Sequence, residues 1–290
     1  MTIDLIIQGD DIASADLRSL HAMVSANGIE RIEHVAHQAF RLCGADDGCD
    51  TRSTEKARCD AAQLDFAFVD SGRTLADIGL LAMDMDSTLI TIECIDEIAD
   101  FVGKKNEVSA VTASAMRGEI DWPESLRLRV ALLEGLAESS LQRVYDERLA
   151  LSPGAETLIA AAKKSGIKML LVSGGFTFFT ERLKTRLGLD FAYSNTLEIA
   201  DGNLTGHVTG ALCDAAAKAQ HVREIAAMLG LQREQIIVIG DGANDLQMMR
   251  EAGLSVAYRA KPVVQAEASV AINFVGLDGV LALFDNKAKL

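Results

Sequence analysis

The most constraining feature of the sequence is a pair of aspartates, Asp84 and Asp86, that directly follows the apolar run of residues 78–83. Such a run is typical of a buried parallel strand, and ligands of open α/β sheets bind beyond the carboxyl ends of their strands. Side chains at positions i and i+2 of an extended segment point the same way. The pattern therefore predicts two carboxylates that face one crevice, where they can share a cation and take different chemical roles.

Two later segments carry groups that suit an anionic ligand. The apolar residues 170–172 predict a second strand, and Ser173 and Gly174 follow it. A hydroxyl beside glycines lets backbone N–H groups approach an anion closely, and the helix that follows adds its positive end. Lys218 is the only lysine among residues 185–260, so a site that needs a point charge in this region has one lysine candidate.

A third predicted strand, residues 236–239, runs into a loop that carries Asp241, Asn244 and Asp245. Together the segments supply an attacking carboxylate, an acid, an anion-binding loop, a lysine and a second acidic loop. Mg²⁺ takes oxygen ligands from a few carboxylates, a substrate phosphate and waters. Phosphoryl transfer depends mainly on positioning and electrostatic stabilisation. The sequence therefore predicts an enzyme of magnesium-dependent phosphoryl transfer.

The four segments resemble, in order, the motifs of the haloacid-dehalogenase-like phosphatases. Glu93 and residues 116–122 and 125–133 resemble the helical cap of the phosphoserine phosphatases within that superfamily. The resemblance covers about residues 77–285. It implies a Mg²⁺-dependent phosphatase that hydrolyses O-phospho-L-serine to L-serine and phosphate through an aspartyl-phosphate, the last step of serine biosynthesis. The alternative is a phosphatase or phosphotransferase for another small phosphomonoester, such as phosphohomoserine or phosphothreonine.

The resemblance also implies roles for the acidic residues. Asp84 matches the nucleophile, and Asp86 matches the acid that protonates the leaving serine hydroxyl and then activates water. The implied Mg²⁺ ligands are Asp84, the backbone carbonyl of Asp86, and Asp241. Asp245 is expected to support these ligands from behind without binding the metal itself.

The residues that the resemblance assigns to the substrate are Glu93, Arg129, Ser173, Gly174, Lys218 and Asn244. Glu93 is expected to bind the ammonium group and Arg129 the carboxylate, which a planar guanidinium binds in a bidentate way. Ser173, the N–H of Gly174 and Asn244 are expected to hold the phosphate, with Lys218 as the counter-charge. Trp122 stands where the family often carries Phe, so an aromatic wall is retained.

The chain is long enough for two domains. Residues 77–290 predict a doubly wound, Rossmann-like α/β domain with a mostly parallel sheet and a helical cap inserted at about residues 91–150. Residues 1–76 predict a small α+β ferredoxin-like domain in β-α-β-(β)-α-β order. In that domain we expect helices at residues 14–26 and 54–64. It resembles the ACT domain that senses amino acids, and an effector-binding role and a purely structural or dimerising role both stay open.

Charge and composition exclude several classes of partner. The net charge of −14 argues against nucleic acid, because phosphate backbones require a basic surface. No stretch approaches the run of about 20 apolar residues that a membrane helix needs. The N-terminal residues lack the basic region and long apolar core of a signal peptide, so we expect a cytoplasmic protein. A homodimer is compatible with the sequence.

Two other classes of protein share part of the pattern. A phospho-accepting signalling domain also uses clustered aspartates, a hydroxyl residue and a lysine, but it needs neither a cap nor a proton donor two residues from the nucleophile. A binding or regulatory protein can keep the fold and lose the chemistry, but the intact Asp84, Asp86, Lys218 and Asp241 disfavour this. Rapid release of phosphate over many turnovers distinguishes an enzyme from both.

Overall fold

The N-terminal part is an α+β unit built on an antiparallel sheet. The computed structural model describes residues 2–285, apart from the side chains of residues 49–55. The elements of this part follow in the order β1 (Ile3–Gly9), α1 (Ser14–Met23), β2 (Gly28–Arg31), β3 (Gln38–Cys43), α2 (Cys49–Ala62) and β4 (Asp65–Asp70). Their strands lie in the order β2-β3-β1-β4. The predicted ferredoxin-like element order is therefore confirmed.

The two helices of this part differ from their predicted bounds. Helix α1 ends at Met23 rather than at residue 26, because Ser25 adopts a left-handed φ of 47° and turns the chain towards β2. Helix α2 begins at Cys49, five residues before the predicted start at residue 54. Its first turn consists of polar residues and Cys49 and has no apolar periodicity, so the sequence pattern did not reveal it.

Strand β1 is buried on both faces, and this joins the N-terminal part to the rest of the chain. Leu5 and Ile7 pack with Leu20 of α1 in a core of the N-terminal part. Ile6, which points the other way, packs in the large core that also contains Leu81 of the second, larger sheet. Alternate side chains of a strand point to opposite faces, so one strand serves both cores.

The chain then enters a second part and inserts helices after the first strand. That strand is β5 (Leu80–Met83), and the helices that follow are α3 (Cys94–Phe101), α4 (Lys105–Met116), α5 (Trp122–Ala131) and α6 (Ser139–Glu147). The segments that enter and leave this insertion lie side by side, with Ile90 and Leu151 paired in an antiparallel bridge. The inserted helices therefore form a cap on a two-stranded stem, and the domain limits stay a prediction.

The remaining elements complete an α/β body. They are α7 (Ala155–Lys164), β6 (Lys168–Phe176), α8 (Thr177–Leu187), β7 (Phe191–Ala200), β8 (Asn203–Thr209), α9 (Ala215–Leu229), β9 (Ile236–Gly240), α10 (Leu246–Met249), β10 (Leu254–Tyr258), α11 (Pro262–Glu267) and β11 (Val270–Ile272). Within residues 2–285 the strands from β5 onwards form one seven-stranded sheet in the order β11-β10-β9-β5-β6-β7-β8. The β7–β8 pair is antiparallel and the other pairs are parallel. The predicted mostly parallel Rossmann-like sheet is confirmed.

Both faces of this sheet are covered. Leu81 and Met83 of β5 belong to one core, and Leu80 and Ala82 belong to another. From β5 the chain proceeds outward through β6 and β7 and then returns to the opposite side through β9 and β10. The strand order therefore reverses beside β5, and ligand crevices of doubly wound sheets open at such a point. Across residues 2–285, no helix is long and apolar enough to cross a bilayer.

A buried carboxylate ties the N-terminal part to the segment that follows β11 of the seven-stranded sheet. Asp65, at the start of β4, is 2% exposed and accepts hydrogen bonds from the backbone N–H groups of Asn273 at 2.7 Å and of Phe274 and Val275 at 3.0 Å each. Burial raises the pKa of the Asp65 carboxyl, and the three donors offset part of that effect. The loop after β11 thus depends on an acceptor from the N-terminal part.

We predict that Asp65→Ala lowers the free energy of unfolding by about 1–3 kcal/mol, because it leaves buried N–H groups without an acceptor. Asp60→Ala is the matched control, because Asp60 pairs with Lys56 at the surface. It should change stability by less than about 0.5 kcal/mol. Urea unfolding followed by circular dichroism measures both, and equal stabilities for the two variants would contradict a tethering role for Asp65.

Candidate active site

Asp84 lies where the central strand β5 ends. Its backbone N–H donates to Ile239 O at 3.0 Å and so extends the pairing of β5 with β9 by one residue. The residue is 5% exposed, and its Oδ1 accepts a 2.7 Å bond from Met85 N–H. Strand β5 is covered on both faces, so the Asp84 carboxylate lies beyond the end of the strand. The sequence predicted a crevice at this position.

Asp86 is held between the cap and the loop that ends β6 (residues 173–176), where the pairing with β7 is irregular. Its Oδ1 accepts from the N–H of Cys94, the first residue of α3, at 2.7 Å, and its Oδ2 accepts from Ser173 Oγ at 3.2 Å. Ser87 follows with a left-handed φ of 55°, which turns the chain sharply behind Asp86. Burial raises the pKa of the Asp86 carboxyl. A raised pKa favours a carboxyl group that holds a proton and can donate it.

Lys218 lies beneath Asp84 and connects it to the loop after β9. Asp214 caps α9 by accepting from Ala217 N–H at 2.9 Å, and Lys218 follows in the first turn. Its ammonium group, 1% exposed, lies 2.8 Å from Asp84 Oδ1 and 2.8 Å from Asp245 Oδ1. Burial alone would lower the pKa of Lys218, but the carboxylates of Asp245 and Asp84 raise it above its ordinary value. Lys218 therefore stays charged.

The loop after β9 is organised by Asp245, which is fully buried. Its Oδ2 accepts from the backbone N–H groups of Asp241 at 3.1 Å and Gly242 at 3.0 Å. A Cβ at Gly240 would stand 2.5 Å from the same oxygen, so a side chain there would displace the carboxylate. Thr88 Oγ1 in turn donates to Asp241 Oδ1 at 3.0 Å. These bonds hold the Asp241 carboxylate close to Asp84.

The clustered carboxylates fit a hard divalent cation. Oxygens of Asp84, Asp241 and Asp245 all lie within 4.8 Å of one another. Burial, and then the charge of Asp245, raises the pKa of Asp84 well above its ordinary value and that of Asp241 to about 6. A cation would relieve this repulsion, and carboxylate oxygens are the ligands that Mg²⁺ prefers. Both oxygens of Asp245 already accept hydrogen bonds, which leaves Asp84 and Asp241 as the more available ligands.

The loop that ends β6 brings bare backbone to the same place. Gly175 N–H donates to Ser173 Oγ at 2.8 Å. A Cβ at Gly174 would lie 2.9 Å from Trp122 of the cap, and one at Gly175 would lie 2.6 Å from Asp86 Oδ2. Only glycine allows this approach. Helix α8 starts directly afterwards at Thr177, so its positive end faces the loop.

The cap supplies two opposite charges above the carboxylates. A cavity of about 470 Å³ separates cap and sheet, and Glu93 and Arg129 both line it. Glu93 Oε1 accepts from Ser87 Oγ at 2.7 Å. Loss of surrounding water, and then the charge of Asp86, raises the pKa of Glu93 to about 7, although the side chain keeps contact with solvent in the cavity. Burial lowers the pKa of Arg129, and nearby carboxylates, Asp96 first among them, oppose this.

Most of the predicted site residues meet at this cavity. Its wall includes Asp84, Asp86, Glu93, Arg129, Ser173, Gly174, Asp241 and Asn244. Lys218 and Asp245 are not part of the wall, because both lie buried behind Asp84. Trp122 lines the cavity as predicted for an aromatic wall.

Comparison of the chain with known protein families agrees with the geometry of this site. The model of the haloacid dehalogenase-like hydrolase family matches residues 81–250. The chain belongs to the haloacid dehalogenase-like hydrolases. A second family model, described as a domain of unknown function, matches residues 5–51.

Among the relatives of this hydrolase, a protein of Albidiferax ferrireducens named phosphoserine phosphatase is 55% identical over 72% of the chain and 91% of its own length. The solved structure of a probable phosphoserine phosphatase from Vibrio cholerae has a TM-score of 0.83 and 38% identity, over 97% of this chain and 86% of that one. A structure described as a phospho-aspartyl intermediate analogue of phosphoserine phosphatase has a TM-score of 0.67 and 38% identity, over 72% of this chain and 99% of that one.

Several residues of the site were missed by the sequence analysis. Thr88 contacts Asp241, Asp96 faces Arg129, and Lys261 lines the cavity beside Asp241. Thr88 stands two residues after Asp86, but this spacing gave no signal, because the left-handed turn at Ser87 interrupts the alternation that begins at Asp84. Asp96 and Lys261 had none, since a charged residue on a helix or in a loop is usually solvated.

We predict that Lys218→Met lowers the free energy of unfolding by about 3–5 kcal/mol at neutral pH, because buried carboxylates lose their cation. The loss should shrink as the pH falls, because Asp84, whose pKa is raised, then takes up a proton and no longer needs a cationic partner. Denaturant unfolding in metal-free buffer measures this. Lys261→Met removes an exposed lysine of the same cavity and is the control. If Lys218→Met and Lys261→Met changed the free energy of unfolding equally and independently of pH, Lys218 would not be the counter-charge of the buried carboxylates.

Proposed function

We propose that this hydrolase converts O-phospho-L-serine and water to L-serine and phosphate, with Mg²⁺, through an aspartyl-phosphate on Asp84. One observation carries the choice of substrate: Glu93 and Arg129 of the cap line the same cavity as Asp84 and Asp86 of the sheet. An ammonium-binding and a carboxylate-binding group thus lie across the cavity from the phosphoryl-transfer groups. The relatives named phosphoserine phosphatase support the same substrate.

The phosphate group would be held at the floor of the cavity. Ser173 and the N–H of Gly174 would approach it from the loop that ends β6, and Asn244 would approach it from the loop after β9. Lys218 reduces the negative charge of Asp84 from behind, so that a carboxylate can approach a phosphate dianion. Mg²⁺, held by Asp84, Asp241 and the backbone carbonyl of Asp86, would supply further positive charge to offset the same repulsion.

In the first step, a carboxylate oxygen of Asp84 attacks phosphorus and the bond between phosphorus and the serine oxygen breaks. Asp86 donates its proton to that oxygen, so serine leaves as the alcohol. The raised pKa of Asp86 suits this donation, because burial disfavours its charged form. Lys218 keeps the carboxylate of Asp84 available for attack, whereas the N–H of Cys94 and the hydroxyl of Ser173 stabilise the Asp86 carboxylate that remains once its proton has left.

In the second step, water replaces serine in the cavity. Asp86, now ionised, accepts a proton from the water as its oxygen bonds to phosphorus, and the bond from phosphorus to Asp84 breaks. Phosphate leaves and both carboxyl groups return to their initial states. The cap must admit water for this step and exclude it during the first, and its two-stranded stem at Ile90 and Leu151 is the connection about which it can move.

The remaining proposals concern the domains of the chain, its oligomeric state and its location. Residues 1–76 form a separate, ACT-like domain, which is supported by its own antiparallel sheet and by a core that includes Leu5, Leu20 and Leu42. Residues 77–290 form the phosphatase domain with its cap at about residues 91–150. A homodimer and a cytoplasmic location remain predictions from the sequence.

We predict that the protein releases phosphate from phosphoserine over many turnovers in the presence of Mg²⁺, and that Asp84→Asn abolishes release because an amide cannot form the acyl-phosphate. Asp86→Asn should bind Mg²⁺ yet lose about 10²–10⁴-fold in kcat, the usual contribution of general acid–base catalysis. A malachite-green assay over phosphoserine, phosphothreonine and phosphohomoserine tests the function. Faster turnover of one of the other two esters would replace phosphoserine as the substrate, and a fully active Asp84→Asn would exclude the covalent mechanism.

We predict that Arg129→Ala lowers kcat/KM for phosphoserine, because the substrate carboxylate loses its charged partner in the cavity. The expected loss of transition-state stabilisation is about 2–5 kcal/mol. O-Phosphoethanolamine has the ammonium group but no carboxylate, so its kcat/KM should change little. Arg127→Ala is the matched control, because Arg127 is exposed on the same helix. Equal losses for both substrates would show that Arg129 acts on the phosphate or on the fold.

A further inference from the structure

The phosphate-binding loop leaves the sheet at an irregularity in strand pairing. Strands β6 and β7 pair in register up to Val172, and the register then shifts before pairing resumes between Phe176 and Asn195. The shift frees Gly174 and Gly175 from a regular ladder. Glycine backbone adopts many conformations, so a loop of this kind needs an external contact to hold one of them.

Asn195 makes that contact from the neighbouring strand. Its side chain is 1% exposed, and its Nδ2 donates to Gly174 O at 2.8 Å and to Gly175 O at 3.4 Å. In a trans peptide the C=O and the following N–H point in opposite directions. Fixing Gly174 O on the Asn195 side therefore directs Gly175 N–H to the other side, where it donates to Ser173 Oγ at 2.8 Å. Ser173 Oγ is left free to donate to Asp86 Oδ2.

The other end of the same amide reaches the helix that carries Lys218. Asn195 Oδ1 accepts from Cys213 N–H at 2.8 Å. Cys213 immediately precedes Asp214, the N-cap of α9, and Lys218 follows one turn later. One buried amide thus connects the loop that ends β6, which contacts Asp86 through Ser173, to the start of α9, which places Lys218 against Asp84.

We propose that Asn195 is a positioning residue that fixes the phosphate-binding loop relative to Lys218. It touches neither substrate nor metal, and it acts by orienting the Gly174–Gly175 peptide and thereby Ser173. This inference rests on the proposed phosphatase function, because it assigns that loop to the phosphate. A displacement of about 1 Å in such a group can cost 10²-fold in rate, so a contact of this kind affects catalysis as well as stability.

The test compares Asn195→Ala and Asn195→Asp with wild type. Both variants should lower kcat/KM at neutral pH by roughly 10–100-fold. The loss should be equal for phosphoserine and O-phosphoethanolamine, because the defect lies at the phosphate. The inhibition constant of inorganic phosphate should rise in parallel. Thr180→Val is the control, because Thr180 is also buried and loses a side-chain bond to Ser194, the neighbour of Asn195, without touching the loop.

The pH dependence of Asn195→Asp is a further readout, which a purely structural role of Asn195 would leave unchanged. Its neutral carboxyl group can donate to Gly174 O and accept from Cys213 N–H as the amide does, whereas the ionised form cannot donate. The ratio of variant to wild-type kcat/KM should therefore rise as the pH falls. Wild-type kinetics and phosphate inhibition in Asn195→Asp at every pH would overturn the proposal, whether or not Asn195→Ala folds.

The failure of this inference is distinguishable from the failure of the proposed function. If the wild-type protein releases no phosphate from any of the esters, the proposed function is wrong. Calorimetric binding of inorganic phosphate with Mg²⁺ still tests Asn195 in that case, because it needs no turnover. Weaker phosphate binding by both Asn195 variants, with unchanged binding by Thr180→Val, supports the positioning role, and equal binding by all four proteins overturns it.

Discussion

The ammonium group of Lys218, bonded to Asp84 on one side and Asp245 on the other, is the interaction on which the site depends. Placing carboxylates this close in a buried crevice is unfavourable, as the raised pKa values of Asp84 and Asp241 show. The positive charge of the lysine offsets the repulsion between these carboxylates. It also links two segments, because Asp245 holds the backbone of Asp241 and Gly242. The positions of Asp84 and of the loop after β9 therefore depend on one cation.

The strand register explains how residues far apart in sequence reach this cation. Met83 of β5 pairs with Ile239 of β9 on one side and with Leu171 of β6 on the other. Asp84 lies one residue beyond Met83. Asp241 lies two residues beyond Ile239, and Ser173 lies two residues beyond Leu171. Parallel strands end at the same edge, so the central strand places Asp84 between the loop that carries Asp241 and the glycine loop that begins at Ser173. The cap then adds Glu93 and Arg129 to the same cavity.

This register also explains which parts of the site the sequence could predict. Asp84, Ser173 and Asp241 each follow an apolar run, so the parallel-sheet rule alone brings them together. Lys218 was identifiable because its segment holds no other lysine. The helical cap and the roles of Glu93 and Arg129 came from resemblance to a family, since neither spacing nor periodicity distinguishes them from solvated helix residues.

Asn195 and Asp65 were beyond the sequence analysis for a common reason. Each is a short polar side chain within or beside a strand, and its partners are backbone groups of distant segments. Backbone groups leave no signature in sequence, so the contact becomes visible only when the register of the strands is known. Asn195 lies opposite Phe176, just past the irregular stretch, and Asp65 lies at the first residue of β4.

Both residues stand where regular pairing ends and backbone N–H or C=O groups would otherwise lack partners. Leaving such groups buried and unpaired is costly, which explains why a polar side chain is placed at each position. The same bonds have different consequences because of what they hold. Asp65 fixes the loop after β11 to the N-terminal part, whereas Asn195 fixes a glycine loop that faces the carboxylates. A hydrogen bond of the same kind therefore joins two parts of the fold in one place and orients backbone beside the buried carboxylates in the other.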